Sequence, residues 1–267
     1  RPWRPWHNPF HRTHRKLIIV DGQLASVGGI NLAAEFSEDL SRDESWRDLA
    51  MWCEGPVAWS LRRQFDASWR ANGGAWGLPL EVPRGSGTLC ALSGPKVTGA
   101  GQGAAYLALV RAARRELLLA TPYFLPDRAL TNALIRAASR GVGVTLVIPR
   151  HNDIWWFKHG ARRRFDQLLR AGITIWERCD RMVHAKVAVV DSLVTAVGST
   201  NLNRLSFHGN SETLLLTVDP NAVTEIRDLI VTEAANSADV LRSHSWPNHP
   251  DRHSLAELAA SALAFIL

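Results

Sequence analysis

Two sets of residues in this chain share one spacing and suit one chemistry. His14, Lys16 and Asp21 stand as His-x-Lys-x4-Asp, and His184, Lys186 and Asp191 repeat the pattern 170 residues later (184 − 14). Phosphodiester cleavage needs a nucleophile, a proton donor for the leaving oxygen and positive charge on the nonbridging oxygens. Two imidazoles can share the first two tasks, one neutral and attacking, the other protonated and donating. Lys16 and Lys186 supply point charges for the phosphoryl oxygens. A His and a Lys two residues apart on a strand point to the same face, so two such strands can converge on one pocket.

The repeat extends past the triplets. HRKLIIVDGQLASVGGINL (14–32) aligns without a gap with HAKVAVVDSLVTAVGSTNL (184–202). LIIV and VAVV are short β-branched runs, fit for strands buried on both faces. Each ends at an Asp opening a tight turn, followed by a second apolar stretch and a glycine segment, Gly28-Gly29-Ile30-Asn31 or Gly198-Ser199-Thr200-Asn201. Asn31, Ser199 and Asn201 are candidates for neutral hydrogen bonds to a phosphate. An acid stands behind each His: Asp48 follows His14 by 34 residues and Glu212 follows His184 by 28. Such an acid fixes the tautomer and stabilises the imidazolium.

Elements alternate ahead of the second copy. RELLLAT (115–121), VGVTLVIP (142–149) and ITIWE (173–177) read as strands. Residues 127–140, opened by Pro126-Asp127 and stopped by Gly141, and residues 154–170, ending before Ala171-Gly172, read as helices. Alternation of this kind predicts an α/β sandwich. Only 13 residues precede His14. On repeat logic the first copy lacks roughly 60–80 residues of strands and helices, so the chain reads as N-terminally truncated. Residues 1–80 are then the end of a first half, 87–240 a second half and 241–267 an amphipathic tail whose apolar face suits a membrane. The boundary falls in the Gly/Pro-rich stretch 72–87.

Bulk composition narrows the partners. The net charge is +6 and the pI near 9.8, with 27 Arg against 4 Lys, which favours an anionic partner such as phospholipid, a membrane surface or nucleic acid. Cys53, Cys90 and Cys179 have no metal-ligand spacing, so no zinc, other metal or disulfide framework is expected. No apolar run reaches the ~18 residues of a membrane span. Among 11 tryptophans, Trp3, Trp6, Trp155 and Trp156 lie beside basic or loop sequence and suit a membrane interface. His151, His159 and His208 flank the motif segments, and Arg162-Arg163-Arg164 reads as a solvated helix face. Tyr123 and Phe124 follow a strand end, where α/β sites gather.

The paired motif, with its Gly-Ser/Gly-x-x-Asn continuation, resembles the phospholipase D superfamily over residues 7–235. TPYFLPD (121–127), PRHNDIWW (149–156), LLRAGITIWE (168–177), VGSTNLNRLSFHGNSE (197–212) and WRDLAMWCEGPVAWSLRRQF (46–65) are most similar to its cardiolipin synthase branch. The resemblance implies an α/β/α sandwich of two pseudo-symmetric halves with mixed sheets, the first half incomplete. It implies a covalent phosphatidyl-histidine with no cofactor, with His14 as nucleophile and His184 as general acid. The donor would be phosphatidylglycerol or cardiolipin, the acceptor a lipid alcohol, and the location the bacterial membrane, peripheral on the cytoplasmic face; a nucleic-acid partner is not expected. The rival readings are a hydrolase forming phosphatidic acid, a nuclease of the same superfamily and an inactive membrane-associated fragment. Gly29 stands where the family pattern has serine, which removes one hydroxyl from the expected phosphate shell.

Overall fold

The computed structural model describes residues 12–75, 89–93, 101–235 and 238–241. The tail 242–267, Trp3, Trp6 and residues 76–87 of the expected boundary lie outside the described residues. In chain order the elements are β1 (Leu17–Val20), β2 (Leu24–Gly28), α1 (Glu38–Ser41), β3 (Ala50–Glu54), α2 (Pro56–Ala71), β4 (Leu89–Ser93), α3 (Gln102–Ala112), β5 (Glu116–Ala120), α4 (Arg128–Ser139), β6 (Gly143–Pro149), α5 (Trp155–Arg170), β7 (Thr174–Arg178), β8 (Val187–Val190), β9 (Val194–Gly198), β10 (Thr213–Thr217), α6 (Pro220–Ala235) and β11 (Ala238–Leu241).

The strands form a three-stranded sheet, β1-β2-β3, and an eight-stranded mixed sheet, β11-β7-β6-β5-β8-β9-β10-β4. Within the larger sheet β5, β6 and β7 run parallel, joined through α4 and α5, while β8 enters antiparallel to β5. The expected strands and helices of residues 115–178 stand where periodicity placed them. Asp127 caps α4 by accepting from the Leu130 N–H at 2.8 Å, and Gly141 leaves it at a φ of 88°.

The repeat is a structural one. Leu17 pairs with Val27 and Val20 with Leu24; 170 residues later Val187 pairs with Val197 and Val190 with Val194. Both hairpins turn with two consecutive positive φ angles, Asp21 and Gly22 in one, Asp191 and Ser192 in the other, as the right-handed strand twist favours. The third strands follow in the same register, Gly28 opposite Ala50 and Gly198 opposite Leu214. An α-helix comes next in each, α2 and α6.

The two copies are not equally covered. One face of the larger sheet packs on α3, α4 and α5 through Tyr106, Val110, Leu130, Leu134, Phe165 and Leu168; the other packs on α6 and on Leu49 and Met51 of the first copy. Each such Leu or Phe, fully withdrawn from water, contributes about 1.5–3 kcal/mol before entropy is counted. The first copy buries Ala25, Val27 and Cys53 against α2, with Leu215 of the second copy completing that core. Its outer face is bare: Ile18 and Val20 are 54% and 43% exposed, where their counterparts Ala188 and Val190 are 1% and 5% exposed. The expectation that LIIV is buried on both faces therefore fails, because among the described residues no helix lies on that face and β1 has one strand neighbour where β8 has two.

Candidate active site

The two copies meet through the segments that precede the histidines. Thr13 bridges in parallel to Ser211; the His14 N–H donates to the Ser211 carbonyl at 2.9 Å and the Ser211 N–H to the Arg12 carbonyl at 2.8 Å. Across the pseudo-twofold, Arg47 bridges to Val183, with Arg47 N–H to Met182 carbonyl at 2.8 Å and His184 N–H to Arg47 carbonyl at 2.7 Å. Each histidine is thus strapped beside the acid-bearing segment of the other copy.

The side chains follow that exchange. His14 Nδ1 lies 2.9 and 3.1 Å from the two carboxylate oxygens of Glu212, and His184 Nδ1 lies 2.6 Å from Asp48. The acids do stand behind the histidines, but crosswise: the residue downstream of His14 holds His184, and the reverse. An Nδ1–H given to a carboxylate leaves the Nε2 lone pair facing outward, the tautomer a nucleophile or proton acceptor requires.

The two carboxylates are held by different means. Glu212 is fully buried and accepts from Ser199 Oγ at 2.5 Å, Ser206 Oγ at 2.9 Å and Asn210 Nδ2 at 3.4 Å, while Gln102 donates to its backbone carbonyl at 3.0 Å. A short π-helical turn, Leu205–Gly209, brings Ser206 there. Asp48 instead accepts the Leu49 N–H at 2.8 Å and lies 3.7 Å from the Lys186 ammonium. Gly29 is the positional equivalent of Ser199, and a Cβ there would run into the Asp48 carboxylate. The departure from serine is therefore the space the shorter acid occupies, not a missing phosphate ligand.

The lysines are the cations of the site, Lys186 buried and Lys16 half-buried. Lys16 donates to the carbonyl of His14 at 2.9 Å, and Lys186 donates to the carbonyl of His184 and lies 2.7 Å from its Nδ1. Burial pushes both ammonium groups down to about 8, against the pull of Glu212 and Asp48. Each lysine feels the carboxylates of both copies, which places all four charges in one field. Burial also lowers the His184 pKa; the Asp48 hydrogen bond opposes this and Lys186 reinforces it. Three rings enclose the His184 imidazole, Phe36 and Trp46 with centroids at 5.2 Å and Tyr123 edge-on at 6.0 Å, and the Tyr123 hydroxyl donates to Asp153 at 2.9 Å.

Several expected site residues lie elsewhere. Asp21 and Asp191 end their strands five residues beyond the lysines, roughly 16 Å along an extended chain. Asp191 accepts the backbone N–H groups of Arg114, Arg115 and Glu116 at 2.7–3.2 Å and so fastens the hairpin turn to the start of β5. Burial raises its carboxyl, the three donors outweigh that, and it stays below the usual carboxylate range. Asp21 is exposed at the matching turn. Neither is placed to act on a phosphate. Ser199 serves Glu212 and accepts the Thr213 N–H at 3.0 Å, so its hydroxyl is spent on the acid. Asn201 is buried with its Oδ1 unpartnered, and Asn31 is half-buried after Gly29. His208 is largely exposed and 3.9 Å from Asp127, and His159 lies against Trp155. Arg162 is not solvated: it is buried against Glu177 at 2.8 Å. Ser206, Asn210 and the rings of Phe36 and Trp46 carried no periodicity or spacing that would single them out. Among the described residues no group of three or more His, Cys, Asp or Glu is placed to hold a metal ion.

Residues 106–232 match the family model described as the cardiolipin synthase, phospholipase D-like domain. Over that span the chain is phospholipase D-like. It is 30% identical over 256 residues to cardiolipin synthase A of Pseudomonas fluorescens, covering 91% of this chain and 52% of that protein. It is 32% identical over 254 residues to cardiolipin synthase A of Pseudomonas syringae, covering 90% and 52%. This phospholipase D-like chain spans about half the length of the curated relatives it matches. Its fold is that of the phosphatidylserine synthase of Haemophilus influenzae, at a TM-score of 0.66 and 16% identity over 96% of this chain and 69% of that one. It also matches Nuc, a phospholipase D family member from Salmonella typhimurium, at a TM-score of 0.52 and 19% identity over 58% and 98%.

Proposed function

We propose that the protein transfers a phosphatidyl group between lipid alcohols, as a cardiolipin synthase does. The observation that carries this is the crossed pair, His14–Glu212 and His184–Asp48, with Lys16 and Lys186 in the same field. The cardiolipin synthase relatives point to the lipid substrate.

Glu212 holds the Nδ1–H of His14, so Nε2 attacks phosphorus in line with the leaving oxygen. A P–N bond forms, the P–O bond breaks, and His184 gives its proton to the departing alkoxide. The arriving phosphodiester anion raises the proton affinity that burial lowers in His184. Lys16 and Lys186 hold the nonbridging oxygens through both steps. His184, now neutral, takes the proton of an incoming lipid hydroxyl, which attacks the phosphohistidine and returns His14 to its starting state. A hollow of about 330 Å³ lined by Trp46, Asn152, Asp153 and Arg181 adjoins the His184 side and offers the acceptor an approach. The substrate resides in a bacterial membrane, to which the enzyme binds peripherally; no described helix is long and apolar enough to cross one.

Incubation of the whole protein with phosphatidylglycerol, followed by lipid separation, tests the reading. Cardiolipin and glycerol are the expected products. Phosphatidic acid in their place identifies water as the acceptor, and DNA cleavage without lipid turnover overturns the lipid assignment.

A further inference from the structure

The net charge of this chain is not spread over it. Helices α3, α4 and α5 form one layer over the larger sheet and carry eight basic side chains against a single acid, Asp166. Five of them, Arg111, Arg128, Arg136, Arg163 and Arg170, are exposed, Lys158 and Arg164 are half-buried, and Arg162 is buried on Glu177. Arg128, Asn132, Arg136 and Arg140 stand four residues apart along α4 and all are exposed. Trp155, His159 and Arg163 form the matching stripe of α5, with Trp155 47% exposed at its first turn.

The arginines gather in two groups. Arg111, Arg136 and Arg140 line one hollow of about 360 Å³ between α3 and α4. Arg128, Arg163 and Arg164 sit close enough that each of the other two depresses the proton affinity of Arg164, although burial is the larger cause. Asp166 is engaged by Arg170 at 3.9 Å. The segment 33–48 near His184 has the opposite character, with six acids against Arg42 and Arg47. The molecule is therefore polarised, and a like-charged surface of this kind gains by meeting a dense anionic surface.

We propose that the outer face of α3, α4 and α5 docks on an anionic lipid bilayer, with Arg128, Arg136 and Arg163 on lipid phosphates and Trp155 at the headgroup boundary. The occupant follows from charge complementarity together with the exposed tryptophan, an amphipathic anchor that a polyanion in free solution has no use for. The place suits delivery of substrate. Arg128 lies five residues beyond Tyr123, whose ring stands edge-on to His184, so the docked helix α4 begins on the segment that leaves the site. This rests on the lipid-transfer reading above for its purpose, but not for its test.

The test is co-sedimentation of the whole protein with phosphatidylcholine vesicles, with and without phosphatidylglycerol. Wild type is expected to sediment only with the phosphatidylglycerol vesicles and to be released by salt. The variant R128E/R136E/R163E, exposed at every position, is expected to lose on the order of ten-thousandfold in partitioning, since each charge near the surface is worth about fivefold and each reversal changes two. The milder R128Q/R136Q/R163Q guards against misfolding and loses about a hundredfold. Turnover of phosphatidylglycerol in nonionic micelles stays at the wild-type rate in both. Equal sedimentation of wild type and variant overturns the docking face, as does wild type that binds duplex DNA and ignores vesicles. Absence of micellar turnover in wild type overturns the transfer reading and leaves the docking result standing.

Discussion

Asp48→Asn isolates what the crossed acid does, because the amide keeps the shape and removes the charge. Asp48 is withdrawn from solvent, 2.6 Å from His184 Nδ1 and 3.7 Å from the Lys186 ammonium. Two consequences add. A hydrogen bond to a charged group is lost, worth about 1.5–3 kcal/mol. At 3.7 Å and an effective dielectric near 20, the carboxylate also attracts Lys186 by about 4 kcal/mol as an upper bound, or about three pH units. Lys186 already sits at about 8, so its ammonium falls past neutrality without Asp48. His184, which Asp48 pulls upward, falls in the same direction. The expected result is a loss of about 10²–10³ in kcat/KM at pH 7, with the alkaline limb of the pH–rate profile moved to lower pH and part of the activity regained near pH 6. The assay is turnover of phosphatidylglycerol in nonionic micelles, with a chromogenic phosphodiester as a second, lipid-independent substrate. A uniform loss with the alkaline limb in place, or a loss below tenfold, would refute the electrostatic role given to Asp48.

Other perturbations separate chemistry from scaffold. His14→Ala and His184→Ala are each expected to lower turnover more than about 10³-fold while thermal melting shows the fold intact; appreciable turnover in either removes the two-histidine mechanism. Gly29→Ser, which copies Ser199 of the second repeat, is expected to reduce activity by about 10²-fold, because its Cβ displaces the Asp48 carboxylate. An active Gly29→Ser enzyme would show that Asp48 has room to spare. Asp191→Ala is expected to destabilise by about 2–4 kcal/mol through three orphaned N–H groups, with turnover per folded molecule preserved. The folded-state carboxyl of Asp191 is depressed, so its contribution is present above the unfolded value near ~3.9 and lost as pH falls below it. The acid slope of stability measured by urea titration should flatten in Asp191→Ala, and an unchanged slope would place the linkage elsewhere.

What the sequence made legible was local or repeated. The β-branched runs, Asp127 as a cap and the stop at Gly141 are decided within a few residues, and the structure follows them. The 170-residue offset is carried by matched hairpin turns that set register, and register fixes which face His and Lys take. Sequence pattern is silent where the deciding contact lies far along the chain. Ile18 and Val20 match Ala188 and Val190 in type, yet burial depends on α3, α4 and α5, which cover one copy alone among the described residues. Spacing marks the acids but not their partners, because the Thr13–Ser211 and Arg47–Val183 bridges join the halves crosswise. Asp21 and Asp191 share the motif with the working residues because each hairpin needs that turn, so recurrence alone does not separate reaction from construction.

The crossed pairing bears on how a duplicated site becomes a directional one. If each acid served the histidine of its own copy, each half would hold a complete pair and the pocket would be their sum. As built, neither half orients its own histidine, and the straps that align His14 and His184 are the contacts that join the copies. Loosening the interface therefore disorganises both histidines at once. The exchange also lets the pairs differ. Glu212 is served by Ser199, Ser206 and Asn210, neutral donors that leave the field at His14 to the carboxylate. Asp48 shares its charge with Lys186, within a ring of Phe36, Trp46 and Tyr123 about His184. Grafting the second environment onto the first, by Ser199→Gly with Ser206→Ala, leaves Glu212 with a single side-chain hydrogen bond from Asn210 besides His14. The expected result is a slower first step with the second unchanged, so that phosphohistidine no longer accumulates in a quench experiment. An undiminished burst in that variant would show that the neutral donors hold the fold of Glu212 but not the reactivity of His14.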